Sequence, residues 1–228
     1  MSDPAQPGSA KKELEALSKL LVKLAEIVEC AFAEGIVALV DADGAAAGHA
    51  RIDDYKAHTV WLKLDSLCSR LLSSGSLDPA GLRLVCQSIK IAMDLRLMAD
   101  EATRLDRHMP IWVAGTSSSA SSRQAISRMA EITQGLVSDV VEALVSCNDS
   151  AARGLHAVYR ELAALQREHF DQVSDDVEAR TMSPRAGGAS LLAARSLEAI
   201  AEHATDMAHC VCGLWQDEAP GVEPAEMQ

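Results

Sequence analysis

The chain has 228 residues, enough for one large or two small domains around a hydrophobic core, and 48% of them are hydrophobic against 24% charged. Only 3% are aromatic (two Phe, two Tyr, three Trp), which excludes an aromatic-rich β-sandwich and the stacking platforms of single-stranded nucleic-acid binders. A formal net charge of −12 argues against nucleic acid or an anionic membrane surface as partner.

Apolar residues recur at alternating spacings of three and four along almost the whole chain, the signature of helices that bury one stripe. The stripes begin Leu14, Leu17, Leu21, Leu24, then Ala57, Val60, Leu64, Leu67, then Leu84, Ser88, Ile91, Leu95, Met98. Three more follow: Ile126, Met129, Thr133, Leu136; Leu155, Val158, Leu162, Leu165; and Ala193, Leu197, Ile200, Ala204, Met207. No segment alternates with period two. The fold class predicted is all-α, six long antiparallel helices in two tandem three-helix bundles, each helix about 30 residues or roughly 45 Å.

Turn chemistry separates the stripes. Asp41–Gly44 divides the first two helices, and Ser73–Pro79 the next pair, with Pro79 placed at a first helical position behind Asp78. Pro110 and the serine run that follows are expected to end the third helix. Cys147–Asp149 and Ser183–Gly188 supply the last two breaks, with Gly187 and Gly188 read as a turn ahead of the final helix. The expected organisation is a disordered N-terminus over 1–10, a first bundle over 11–115, a serine-rich linker over 116–122, a second bundle over 123–216 and a disordered acidic tail over 217–228.

The two bundles read as an internal duplication. Set without a gap against Ser196–Leu214, the segment Asp94–Trp112 pairs Leu95 with Leu197, Met98 with Ile200, Ala99 with Ala201, Asp100 with Glu202 and Leu105 with Met207. The shared Ala-Thr dipeptides, Ala102-Thr103 and Ala204-Thr205, carry more weight than the apolar register, which any two amphipathic helices share.

The sixth helix carries the most suggestive polar pattern. Glu198, Glu202, Asp206 and His209, with His203 beside them, fall on one stripe next to the apolar seam. Three carboxylates on one helix face repel unless a cation sits among them, and that cation is either a basic side chain from a neighbouring helix or a metal; a solvated acidic face is the structural alternative. The matching stripe of the first half reads Arg96, Asp100, Arg104, a ladder that neutralises itself and needs no metal. Cys210 and Cys212 diverge by about 200° on a helix and cannot grip one ion locally. His58, His156 and His169 read as ordinary amphipathic positions. The six cysteines (Cys30, Cys68, Cys86, Cys147, Cys210, Cys212) form no CxxC pattern and are expected reduced and buried in a cytosolic protein. The polar Met1–Ala10 stretch resembles no secretory leader, and no run approaches the roughly 18 apolar residues of a membrane span. No nucleotide-binding loop, nucleophile elbow or zinc-protease helix is present, so no catalytic residue is assigned.

Two of these segments resemble the PhoU family of phosphate-signalling proteins. One runs from Arg70 through Ser73-Ser-Gly-Ser-Leu-Asp-Pro79 to Asp94-Leu-Arg-Leu-Met-Ala-Asp100; the other is Ala194-Arg-Ser-Leu-Glu-Ala-Ile-Ala-Glu-His-Ala-Thr-Asp-Met-Ala208. The second is similar to the family's Arg-Ser-Leu-Glu-Arg-Ile-Gly-Asp-His-Ala pattern, and the six-helix duplicated plan matches as well. The resemblance implies a cytoplasmic adaptor, recruited to the inner membrane through its partners and often a homodimer, without catalytic activity or a required cofactor. Such an adaptor links a phosphate ABC transporter ATPase to a sensor histidine kinase and so acts indirectly as a negative regulator of phosphate-starvation genes. It also implies a divalent or iron-type metal on paired acids. Carried over by position, the second motif falls on Glu198 and Glu202, with Asp206 in place of Asn; the first falls on Arg96 and Asp100, its leading acid lost. The metal candidates are therefore Glu198, Glu202, Asp206, His203 and Asp100. Each motif glycine is alanine here (Ala99, Ala201). A helical metal-binding or metal-sensing protein, or a divergent helical scaffold unrelated to phosphate, is the alternative.

Overall fold

The computed structural model describes residues 7–41, 44–114, 120–146 and 154–215, and the expected acidic tail over 217–228 lies outside them. Six helices follow in chain order: α1 (Pro7–Asp41), α2 (Gly44–Ser74), α3 (Pro79–Ala114), α4 (Ala120–Val145), α5 (Leu155–Glu178) and α6 (Pro184–Trp215). No strand occurs among the described residues. Packing links α1, α2 and α3 to one another, and α4, α5 and α6 likewise; between the two sets, α3 lies against α6 and α1 against α4. Every such pairing has its counterpart in the other half when α1, α2, α3 are exchanged for α4, α5, α6. One continuous apolar core nonetheless runs through all six helices, from Leu17 and Leu24 through Leu64, Leu95 and Met98 to Met129, Leu162, Leu197 and Met207. The apolar seams read from the sequence fall on these buried stripes or pack against them, except at Val158, which is 38% exposed.

Helix starts follow local chemistry. Asp78 Oδ1 accepts the Gly81 N–H at 2.7 Å, and Pro79 opens α3 where no donor is needed. Ser183 Oγ accepts the Ala186 N–H at 3.2 Å ahead of Pro184, so α6 begins there, and Gly187 and Gly188 lie inside the helix rather than in the turn expected. Gly187 is needed for close approach: a Cβ there would sit 2.9 Å from Val177 Cγ2 and 3.1 Å from Val173 Cγ1 of α5. Other boundaries also moved. α1 starts at Pro7, four residues inside the segment expected to be disordered, and α3 passes through Pro110 to Ala114, because a proline near a helix end forfeits only one backbone bond. Of the expected serine linker, residues 120–122 belong to α4, where buried Ser122 Oγ pairs with Ser190 Oγ at 3.2 Å; residues 115–119 are outside the described part. So is the Cys147–Asp149 break.

Candidate functional site

Polar side chains meet between the two halves at two places: Ser138 Oγ of α4 donates to Glu29 Oε1 of α1 at 2.6 Å, and a larger group meets where α3 crosses α6. The helices run antiparallel: Ser196 Oγ donates to Glu101 Oε2 at 2.9 Å, while farther along His203 Nδ1 lies 3.3 Å from Asp94 Oδ1. In the internal duplication Asp94 pairs with Ser196 and Glu101 with His203, so exchanging the halves turns one contact into the other. The crossing is therefore a pseudo-two-fold axis. Its flanks are matched as well, because Thr103 and Thr205 each bond back one turn, to Ala99 O at 3.1 Å and Ala201 O at 2.8 Å.

The chemistry at the two ends differs. At one end Glu101 receives Ser196 and an ion pair from Arg104 three residues on. At the other, Asp94, His203 and Asp206 bring one ligand atom each to within 4.8 Å of one another, the one such set of three found among the described residues. Asp94 and His203 are partly sheltered, with 17% and 23% of their side chains exposed, whereas Asp206 faces solvent. The Asp94 hydrogen bond raises the His203 pKa against an opposing burial effect, and the charges of Asp94, Glu202 and Asp206 add to the rise. Cys210, one turn beyond Asp206, has its thiol pushed up by burial and by Asp94 and Asp206.

The sequence-derived metal candidates divide accordingly. His203 and Asp206 converge, and they do so on Asp94, a residue the sequence did not single out. Asp100 is taken up by Arg96 at 2.7 Å, and Arg96 also binds Asp54 of α2 at 2.7 Å, so that stripe is self-neutralising as expected. Its third member departs from expectation, since Arg104 turns to Glu101. Glu198 accepts from Arg195 at 2.8 Å, and that bond is the main reason the guanidinium pKa is raised. Glu202 is exposed; its charge and that of Glu198 raise the Tyr159 phenol, after burial. His209 is exposed and outside the convergent set. Glu198 is thus paired with Arg195, and Glu198 and Glu202 lie outside the convergent set of three found among the described residues.

Two further expectations need correction. Of the cysteines, five are described and only Cys68 is buried; Cys30 and Cys86 are exposed, against expectation. His169 is not an ordinary amphipathic position: it is 2% exposed, and its Nε2 lies 2.9 Å from Ser190 Oγ. Burial pushes its pKa down, with Asp176 opposing. His58 and His156 do behave as surface positions, beside Trp61 and Tyr159.

The fold and this crossing define a duplicated helical bundle whose halves meet across a polar pseudo-two-fold. Residues 126–211 match the PhoU domain. Over 204 residues the chain is 26% identical to a phosphate-specific transport system accessory protein PhoU homolog of Caulobacter vibrioides, covering 88% of this chain and 86% of that one. The corresponding Pseudomonas aeruginosa protein is 26% identical over 205 residues, with 89% and 83% covered. Among solved structures, PhoU from Pseudomonas aeruginosa superposes with a TM-score of 0.82 at 22% identity, over 90% of this chain and 97% of that one. The phosphate transport system regulatory protein PhoU from Streptococcus pneumoniae gives 0.80 at 16% identity, over 91% and 97%. Residues 126–211 thus match the PhoU domain, and over nearly its whole length the chain is similar to PhoU proteins in sequence and shares their fold.

Proposed function

We propose that this chain is a PhoU-type accessory and regulatory protein of a phosphate transport system, a non-enzymatic adaptor in the cytoplasm that docks a phosphate ABC transporter ATPase and a sensor histidine kinase. The observation that carries this reading is the near full-length match to PhoU accessory proteins, which extends through both halves and beyond the segment of the PhoU domain match. No helix among the described residues is long and apolar enough to cross a membrane, so an inner-membrane transporter would be reached by docking. α3 offers a surface for it. Leu82, Ile89, Met93 and Leu97 recur at helical spacing and remain between 37% and 47% exposed, with exposed Cys86 in the same ridge.

The test is genetic and biochemical. Deleting the gene should change phosphate uptake and de-repress phosphate-starvation genes, and affinity capture from native membranes should retain the transporter ATPase. Ile89→Glu with Met93→Glu should weaken that capture at least tenfold while leaving the circular dichroism unchanged. Unaltered uptake and starvation-gene expression in the deletion strain would remove the reading.

A further inference from the structure

The exposed ridge of α3 continues onto α2, and from the charges that border it we infer its partner: a single amphipathic helix flanked by acidic residues. This assignment rests on the docking role proposed for α3 and adds what kind of partner fills it. The turn over residues 75–78 and the ion pair of Arg96 with Asp54 at 2.7 Å fix how α2 and α3 lie side by side. Residues about equally far from the turn therefore stand level: Leu72 with Leu82, Leu62 with Ile89, Tyr55 with Leu97. Asp54 faces α3 while Ala57 and Leu64 face the core, which leaves Tyr55 and Leu62 on the outer side of α2. All six are exposed, from 37% at Leu97 to 74% at Tyr55. Together they make an apolar floor across two neighbouring helices, about 22 Å long at the usual helical rise. A contiguous floor of this kind marks an interaction surface, which scattered single residues do not.

Both long edges of this floor are basic. Arg70 reaches Glu13 of α1 at 2.9 Å, so the stripe it shares with Lys63, two turns earlier, borders the floor on the α1 side. Burial raises the Cys210 thiol of α6 and the charge of Lys90 opposes it, so Lys90 and Arg83, again two turns apart, border the floor on the α6 side. All four are exposed, and neither Lys63 nor Lys90 has an ion-pair partner among the described residues. Asp65 is an exposed acid near Leu62, whereas Asp54 and Asp100 are taken up by Arg96. In a chain of net charge −12, a face edged with cations is set apart. A second copy of the chain does not fit, since pairing this face with itself lays basic edge on basic edge. An anionic bilayer is disfavoured by the charge of the whole molecule, which sets long-range repulsion against a few edge cations. One helix of about four turns matches the floor in length, its apolar stripe covering the seam between α2 and α3 and its flanking acids meeting the two edges. The stripe supplies most of the affinity, and the flanks supply orientation and choice of partner.

The test uses the full chain and two fluorescent synthetic helices of about 18 residues with the same leucine stripe, one flanked by glutamates and one by lysines. Binding is read by anisotropy across a salt series. The glutamate helix should bind at least tenfold more tightly than the lysine helix at about 50 mM salt, and the margin should shrink as salt screens the edges. Because the chain as a whole is anionic, nonspecific attraction would favour the lysine helix, so the sign of the preference is diagnostic. Lys63→Glu with Lys90→Glu should reverse the preference, with unchanged circular dichroism, while Ile89→Glu with Met93→Glu should weaken both helices. A preference for the lysine helix, no saturable binding of either, or binding indifferent to Lys63→Glu with Lys90→Glu would each overturn the assignment. So would co-sedimentation with vesicles of phosphatidylcholine and phosphatidylglycerol in place of helix binding, which would make the face a membrane contact. No transporter enters this assay, so its failure leaves the phosphate reading standing. An unaltered deletion strain, conversely, would remove that reading without changing the helix preference.

Discussion

The two ends of the α3–α6 crossing occupy equivalent positions in a duplicated fold, yet one is a closed ion-paired cluster and the other a convergent set of acids and a histidine. Backbone geometry, helix register and the buried alanines are shared, so the contrast comes from three side-chain identities. Duplication preserved what the packing requires and left the polar rim free to diverge. The same contrast recurs deeper inside. Ser88 and Ser190 stand at equivalent places on α3 and α6, both fully buried. Ser190 bonds to His169 and to Ser122, whereas Ser88 Oγ has no hydrogen-bond partner.

If the core is the preserved part, its equivalent residues should cost the same to truncate. Leu95→Ala and Leu197→Ala, both at fully buried positions, are each expected to lose about 2–5 kcal/mol in urea unfolding. A loss below about 1 kcal/mol at one site and a large one at the other would break the equivalence.

The buried serines should respond with opposite signs. Ser190→Ala strands His169 Nε2 and is expected to cost about 1–3 kcal/mol, while Ser88→Ala removes an unpaired hydroxyl and should be neutral or stabilising. His169 adds a pH signature. Its pKa is lowered in the folded state by burial, with Asp176 opposing, so below about pH 6.5 the unfolded chain takes up a proton that the native one refuses. Its contribution therefore destabilises progressively as pH falls from there to the folded pKa, and is absent well above about pH 6.5. His169→Gln should flatten that acid-side slope in denaturation measured between pH 7.5 and 5; an unchanged slope would assign it elsewhere.

Adjacent glycines in α6 sharpen the comparison between packed and open faces of one helix. Gly187→Ala drives a methyl into branched Val177 and Val173 and is expected to cost about 1–3 kcal/mol. Gly188→Ala meets nothing within 4 Å and should gain about 0.5–1 kcal/mol from reduced backbone entropy. Equal effects would mean that α5 does not press on α6 there.

How much of this was legible in the sequence follows from which interactions are local. The six helices, their apolar seams and the Asp78–Pro79 start are set by neighbours within one or two turns, so periodicity and capping chemistry revealed them. The Pro7, Ala120 and Pro184 helix starts were misjudged because Pro, Gly and Ser carry the same breaking signal inside a first turn as in a loop. Ser122 shows why: its hydroxyl is satisfied by Ser190, 68 residues away. His203 and Asp206 were visible as members of an acidic stripe, but Asp94 was not, because only the antiparallel crossing brings it to them. The one available signal was the duplication, which already set Asp94 opposite Ser196 and Glu101 opposite His203. Without the crossing angle, however, those pairs were a register and not a contact.

The smallest effect tests the comparison most directly. Asp206→Arg gives the open end the residue that closes the other, Arg104. A guanidinium there would face Asp94 and His203 as Arg104 faces Glu101, an exposed pair worth up to about 1 kcal/mol. The variant should therefore melt slightly above the parent in a thermal scan. Arg104→Asp should do the reverse at its own end, lowering stability by a similar amount. Were Asp206→Arg to destabilise the chain instead, the two ends would not be alternative answers to the same charge, and their equivalence would hold for the backbone alone.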